Sequence, residues 1–262
     1  MSTLDRPRPT TTAASPSALA PLSDSALANL IAHGRDGAFE VLYERYRTDL
    51  SRYCRALLRN PEDAEEAFQG TMLNALRALR SGDGGRNMRP WLYRIAHNQC
   101  ASMIRARRPS SALSPDQPSP ADLPEDQVAR AEQIRHLRTD LGSLPALQRS
   151  ALVMREMSGL SHRAIAQALS VEPADARQLV YEARRSLDEC RIGRESGCSD
   201  LRAQIADGDR RRLRSRRVRA HLRTCDDCTA YVASQDERRR GYAALAPAIP
   251  AAAGRQVFDR VM

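Results

Sequence analysis

Five prolines within sixteen residues, Pro109, Pro115, Pro118, Pro120 and Pro124, constrain this chain more than any other feature. Proline has no N–H to donate and ends helices and central strands alike. Ser, Asp and Gln fill the gaps between them, so 109–124 reads as a flexible linker and not as a core element. On both sides of it the apolar residues recur at helical spacing. Upstream, Ala38, Leu42, Tyr46 and Leu50 share one face, and Leu57 and Leu58 extend the pattern. Asn60-Pro61-Glu62-Asp63 is a helix start with Asn as cap, Pro at the first helical position and acids in the first turn. That helix continues through Ala67, Met72, Leu76 and Leu79 to a Gly-rich break at 81–85, and another runs from about Arg89 to Arg107. Alternating runs long enough for a sheet are absent, so the expected fold is all-α: two helical domains and a small helical tail.

The expected boundaries are a disordered leader over 1–22, a first helical domain over 23–108 and the linker over 109–124. A second helical domain follows over 125–190, then a basic metal-binding segment over 191–240 and an Ala/Pro-rich end over 241–262. The leader has no apolar core of the kind a secretory signal needs. Nor does any stretch reach the ~18 apolar residues of a membrane span. A cytoplasmic protein without a membrane partner is therefore expected. The formal charge of +9 points to a polyanionic partner. All 41 basic residues are arginine, so any phosphate contact is made by a guanidinium.

Four of the six cysteines lie between 190 and 228. In a chain with no signal peptide, such clustering favours metal or redox chemistry over a disulfide framework. His221-Leu222-Arg223-Thr224-Cys225-Asp226-Asp227-Cys228 is a H-x3-C-x2-C pattern. His221 and Cys225 lie one helical turn apart, so their side chains leave the same face, and Cys228 follows at the spacing that lets two thiolates grip one ion. Cys198 is the expected fourth ligand, with Cys190 in reserve. Borderline-soft Zn2+ suits this donor set; the bland alternative is two unrelated thiols and a surface histidine. Cys54 and Cys100, far upstream, read as core thiols.

Between Leu141 and Leu187 two short helices follow one another. Leu160 to Leu169 is amphipathic with Ser161 as cap, a break spans 170–172, and Pro173 opens the next helix. This spacing is that of a helix-turn-helix, whose second helix can enter the major groove. A three-helix domain that touches no DNA is the alternative.

Three segments carry a family resemblance. Leu144-Pro145-Ala146-Leu147-Gln148-Arg149 resembles the L-P-x-x-x-R lead-in to region 4 of bacterial sigma factors. Asp63-Ala64-Glu65-Glu66-Ala67-Phe68-Gln69-Gly70-Thr71-Met72 resembles the D-A-E-D-x-x-Q-E-T-F signature of region 2. Pro90-Trp91-Leu92-Tyr93-Arg94-Ile95-Ala96-His97-Asn98 resembles the W-L-Y-R-I-A-x-N helix of the same region. Their order, over about residues 22–190, is similar to that of an extracytoplasmic-function (group 4) sigma factor. The resemblance implies a transcription initiation factor, not an enzyme, with core RNA polymerase (β′ clamp helices and β flap), promoter DNA and an anti-sigma factor as partners.

Individual residues follow from it. Trp91, Tyr93, Arg94, Asn98, Arg105 and Arg108 are expected at the −10 element, where phosphates want guanidinium and unpaired bases want stacking. Ordinary core packing is the competing role for Trp91, and a solvated helix end for Arg105–Arg108. The 81–88 loop corresponds to the one that receives a flipped base. Asp63, Glu65, Glu66 and Gln69 are expected to meet the polymerase, since carboxylates repel DNA. Arg177, Gln178, Tyr181 and Arg184 are expected at the −35 element, the first two on base edges and Arg184 on phosphate. The chain departs from the family pattern there: Leu179 replaces a basic residue, Asp175 a Thr or Ser, and Ser170 the turn glycine.

Cys198, His221, Cys225 and Cys228 resemble the zinc-binding anti-sigma fold, ordinarily a separate protein, so a fused copy implies regulation in cis. Oxidation of exposed thiolates is one way to release such a tail; a constitutive structural zinc is the other reading. Nine arginines over 202–223 allow an extra DNA contact, a dock for the acidic face of region 2, or a solvated helix. Two different functions compete with a sigma factor: a stand-alone helix-turn-helix regulator, and a zinc- or redox-responsive interaction protein with degenerate sigma domains.

Overall fold

The computed structural model describes residues 16–58, 60–84, 87–106, 125–207 and 210–245. All regular structure among them is helical. They fall into two compact units, one running to Arg185 and the other starting at Ser186.

The first unit begins with α1 (Pro16–Leu19), α2 (Asp24–Ala32), α3 (Asp36–Leu57), α4 (Pro61–Arg80) and α5 (Met88–Ala106). Side chains placed by sequence start these helices. Ser23 Oγ accepts from the Ala26 N–H, and Asn60 Oδ1 accepts from the N–H groups of Glu62 and Asp63, satisfying donors the first turn leaves open. The stripe Ala38, Leu42, Tyr46 and Leu50 is buried as its spacing predicts, together with Phe68, Leu79, Leu92 and Ala96. Residues 16–22 are not part of a disordered leader, and 1–15 lie outside the described residues. Residues 16–22 pack on α3, because Arg45 donates to the carbonyls of Ala20 and Leu22 and pairs with Asp24. The linker 109–124, Arg108 and the end of the chain from 246 lie outside the described residues.

Beyond the linker come α6 (Glu125–Ser143), α7 (Ala146–Glu156), α8 (His162–Leu169) and α9 (Pro173–Glu195). The helices flanking the linker do not stand apart, for α5 packs against α8 and α3 against α7. At eight residues, α8 is too short to be stable alone and must cover its apolar face, with Ile165, Ala166 and Leu169 buried. Polar bonds fasten the contact: Arg89 donates to the Ser158 carbonyl at 2.6 Å, and His97 Nδ1 lies 3.1 Å from Ser150 Oγ. Burial first, and Arg105 second, hold the His97 pKa below its usual value, so the imidazole is neutral there at pH 7.

Ser161 caps α8 by accepting from the Ala164 N–H at 3.2 Å. Ser170 ends α8 in the left-handed region, φ 56° and ψ 45°, where a Cβ is unfavourable. Ser170→Gly is expected to stabilise the first unit by ~1 kcal/mol, read as a higher denaturant midpoint at unchanged m-value. An unchanged or lower midpoint would mean that the turn carries no strain.

In the second unit, the C-terminal part of α9 is joined by α10 (Cys198–Ala206), α11 (Arg210–Leu213), α12 (Arg216–Leu222) and α13 (Asp226–Leu245). Its core is small: Leu201, Ile205 and Val218, with Leu213, Leu222, Tyr231 and Val232 around them. A core of this size supplies little stability without a cross-link or metal.

Candidate nucleic-acid interface and metal centre

The two faces expected to meet DNA are differently placed. On α5, Arg94, Asn98 and Arg105 are exposed and Trp91 is half-buried. Tyr93 is wholly buried, its ring edge-on to Tyr53 with centroids 5.2 Å apart. It faces the same side as Leu92 and Ala96 and serves as core, which corrects its expected place at an unpaired base. Within the 81–88 loop, residues 85 and 86 lie outside the described residues.

On α9, Arg177, Gln178, Tyr181 and Arg184 are all exposed, Tyr181 at 60%. Two of them already have partners: Gln178 donates to Glu182 at 2.9 Å, and Arg184 Nε donates to Glu156 at 3.0 Å. A phosphate held by Arg184 would have to displace or share that carboxylate. On α4, Glu65, Glu66 and Gln69 are exposed and Asp63 is half-buried; Gln69 donates to Glu65 at 3.2 Å, one turn back.

The candidate metal ligands come together through a break in the chain, not along a continuous helix. α12 stops at Leu222, and the Thr224 N–H closes a turn on the His221 carbonyl. Cys225 then takes the cap position of α13, its carbonyl accepting from the Thr229 N–H. This corrects the one-turn spacing expected for His221 and Cys225. Cys198 arrives from the start of α10, and Cys228 lies in the first turn of α13.

One ligand atom from each of Cys198, His221, Cys225 and Cys228 lies within 4.8 Å of the others. Cys190 is buried and is not among them. Cys198 Sγ is 3.7 Å from Cys225 Sγ and 3.8 Å from His221 Nε2. Thiolates bound tetrahedrally at ~2.3 Å from one ion sit roughly 3.8 Å apart, so the spacing suits a four-coordinate metal. It is also far longer than a disulfide's ~2.05 Å.

Electrostatics prepare the sulfurs. The Cys228 backbone N–H bonds to the Cys225 sulfur and lowers that thiol's pKa, as expected at a helix N-terminus. The Cys198 thiol is pushed up to about 11, chiefly by sharing hydrogen bonds with Cys225 and Cys228. An ion that loads the site must therefore displace the Cys198 proton. Two features escaped the sequence reading. Arg202 bonds to Cys228 and lies over the Tyr231 ring, 5.5 Å from its centroid, a pairing no local pattern announces. Gly193 accepts from His221, and its only advance signal was an isolated glycine inside a long helical run.

Comparison with known proteins identifies the first unit. The family model "Sigma-70 region 2" matches residues 42–109, and "Sigma-70, region 4" matches 137–187. The ECF RNA polymerase sigma factor SigM of Mycobacterium tuberculosis is 30% identical over 167 residues, covering 63% of this chain and 83% of that protein. The ECF RNA polymerase sigma-E factor of Haemophilus influenzae is 28% identical over 180 residues, covering 64% of this chain and 94% of that protein. Among solved structures, CnrH in complex with the cytosolic domain of CnrY matches with a TM-score of 0.50 at 27% identity, over 63% of this chain and 94% of that one. The chain belongs to the ECF family of RNA polymerase sigma factors and is a transcription initiation factor.

Proposed function

We propose that this sigma factor binds core RNA polymerase through the α4 face bearing Glu65, Glu66 and Gln69, and engages promoter DNA at two places. The exposed α5 residues Arg94, Asn98 and Arg105, beside Trp91, meet the opened −10 strand. The exposed face of α9 meets the −35 element, with Arg177 and Gln178 on base edges. The observation that carries this reading is that both basic faces are exposed and lie on helices within the two matched sigma regions. A stand-alone helix-turn-helix regulator would have no need of the region 2 block. Work in the cytoplasm fits this role, and no described helix is long and apolar enough to cross a membrane.

The tail is part of the proposal. Cys198, His221, Cys225 and Cys228 hold one Zn2+, which ties α10, α12 and α13 together around a core too small to hold them alone. Such a module gives the factor a regulatory element of its own. A further protein partner is also in keeping with CnrH, whose structure contains the cytosolic domain of CnrY.

Run-off transcription with core polymerase and the full chain tests the reading. Arg177→Ala is expected to cost about 1–3 kcal/mol of promoter affinity and to relax preference within the −35 element, core binding being unchanged. Arg94→Ala with Arg105→Ala is expected to slow strand opening, read by permanganate reactivity of unpaired thymines. A full chain that fails to bind core polymerase would overturn the proposal.

A further inference from the structure

The end of α9 meets the metal ligands at one point. Gly193 is buried, and its carbonyl lies 3.2 Å from His221 Nδ1. This carbonyl belongs to the last turn, where helical C=O groups lack their usual i+4 partners, and the Ser196 N–H at 3.3 Å is its other donor. A proton on Nδ1 donates to this oxygen and leaves the Nε2 lone pair free. Nε2 is the nitrogen that faces Cys198 Sγ.

No other residue type could bring the two backbones this close. A Cβ on Gly193 would lie 2.2 Å from the Arg217 carbonyl oxygen, 2.7 Å from Arg217 Cα and 2.8 Å from its carbonyl carbon. All three are backbone atoms of α12, the helix that carries His221, so no rotamer change can relieve the clash. Within a helix glycine costs about 1 kcal/mol relative to alanine, and here the close approach is what demands it.

We propose that Gly193 is the positioning residue of the metal centre, and that the last turn of α9 is the wall against which His221 is set. This rests on the reading of the cluster as a metal site. His221 then binds through Nε2 as a neutral imidazole whose tautomer is held by a backbone carbonyl. Loading the site also fixes the C-terminal turn of α9, the helix whose earlier turns carry Arg177, Gln178 and Tyr181. Metal occupancy thus bears on a helix that the tail shares with the DNA-reading part of the chain.

The test uses the full-length chain with Co2+ as an optical probe and Zn2+ measured by chelator competition. Gly193→Ala keeps all four ligands and is expected to bind about 10–100-fold more weakly. Gly241→Ala, where an added Cβ meets nothing within 4 Å, is expected to bind as wild type. Amide exchange at residues 190–195 is expected to slow when wild type is loaded and to slow less in Gly193→Ala. Nitrogen-15 NMR of zinc-loaded wild type is expected to show His221 metal-bound at Nε2 and protonated at Nδ1. This stands as the deciding readout if Gly193→Ala fails to fold. Equal affinity of a folded Gly193→Ala, or zinc on Nδ1, would overturn the role of Gly193 while leaving the metal site in place. A wild-type chain that takes neither ion overturns the metal reading, and this inference falls with it.

Discussion

Cys228→Ser is expected to abolish tight Zn2+ binding and to remove the thermal transition of the second unit. Cys228 is fully buried in the first turn of α13 and bonded to Arg202, in a unit whose described apolar core centres on Leu201, Ile205 and Val218. Structural zinc contributes of order 10–16 kcal/mol to the folding of small modules, far more than such a core provides. A serine hydroxyl is a poor zinc donor, and its burial without a metal adds a desolvation cost of about 1–3 kcal/mol. Titration with Co2+ reads the effect directly: thiolate charge-transfer bands are expected in wild type and their loss in Cys228→Ser. Cys190→Ser serves as the contrast, because Cys190 lies outside the cluster, and it is expected to retain the wild-type spectrum. Tight binding by Cys228→Ser would remove the zinc centre from the account of the tail.

Phe68→Ala is expected to destabilise the first unit by about 3–5 kcal/mol, a large share of the ~5–15 kcal/mol that holds a domain together. Phe68 is 1% exposed, and its ring packs against Tyr43 at 5.5 Å, tilted by 56°. Removing it leaves a cavity between α3 and α4, the pair that presents Glu65, Glu66 and Gln69. Core-polymerase binding is therefore expected to fall with the folded fraction, although Phe68 itself is inaccessible. Gln69→Ala is expected to lower polymerase binding with the denaturant midpoint unchanged. The two variants separate a face that is supported from a face that makes contact. Equal midpoints for wild type and Phe68→Ala would show that the site can collapse around the smaller residue.

Much of the local structure was legible before any coordinates. Caps at Asn60 and Ser161 act within three residues of themselves, so sequence spacing suffices to read them. The apolar stripe from Ala38 to Leu50 needs only helical periodicity. The candidate fourth ligand was a matter of choosing between two cysteines, and it is Cys198, not Cys190, that lies within the cluster. Tyr93 was misplaced because periodicity gives a face but not what covers it; an aromatic beside Trp91 and Arg94 looks identical whether it stacks on a base or on Tyr53. The break between Leu222 and Cys225 was equally hidden. His-x3-Cys is compatible with a continuous helix, and only the turn closed by the Thr224 N–H shows that it ends.

The sequence by itself determined the all-α class and the order of the two sigma regions, and it narrowed the candidate metal ligands to His221, Cys225, Cys228 and one of two further cysteines, because each is written in short-range spacing and residue chemistry. The tertiary structure alone decided that α5 packs on α8, that Arg202 sits over Tyr231 beside Cys228, and that Gly193 supports His221. These pairings join residues 26 or more positions apart. They depend on how closely two backbones can approach, a quantity set by packing across the fold that no local pattern encodes.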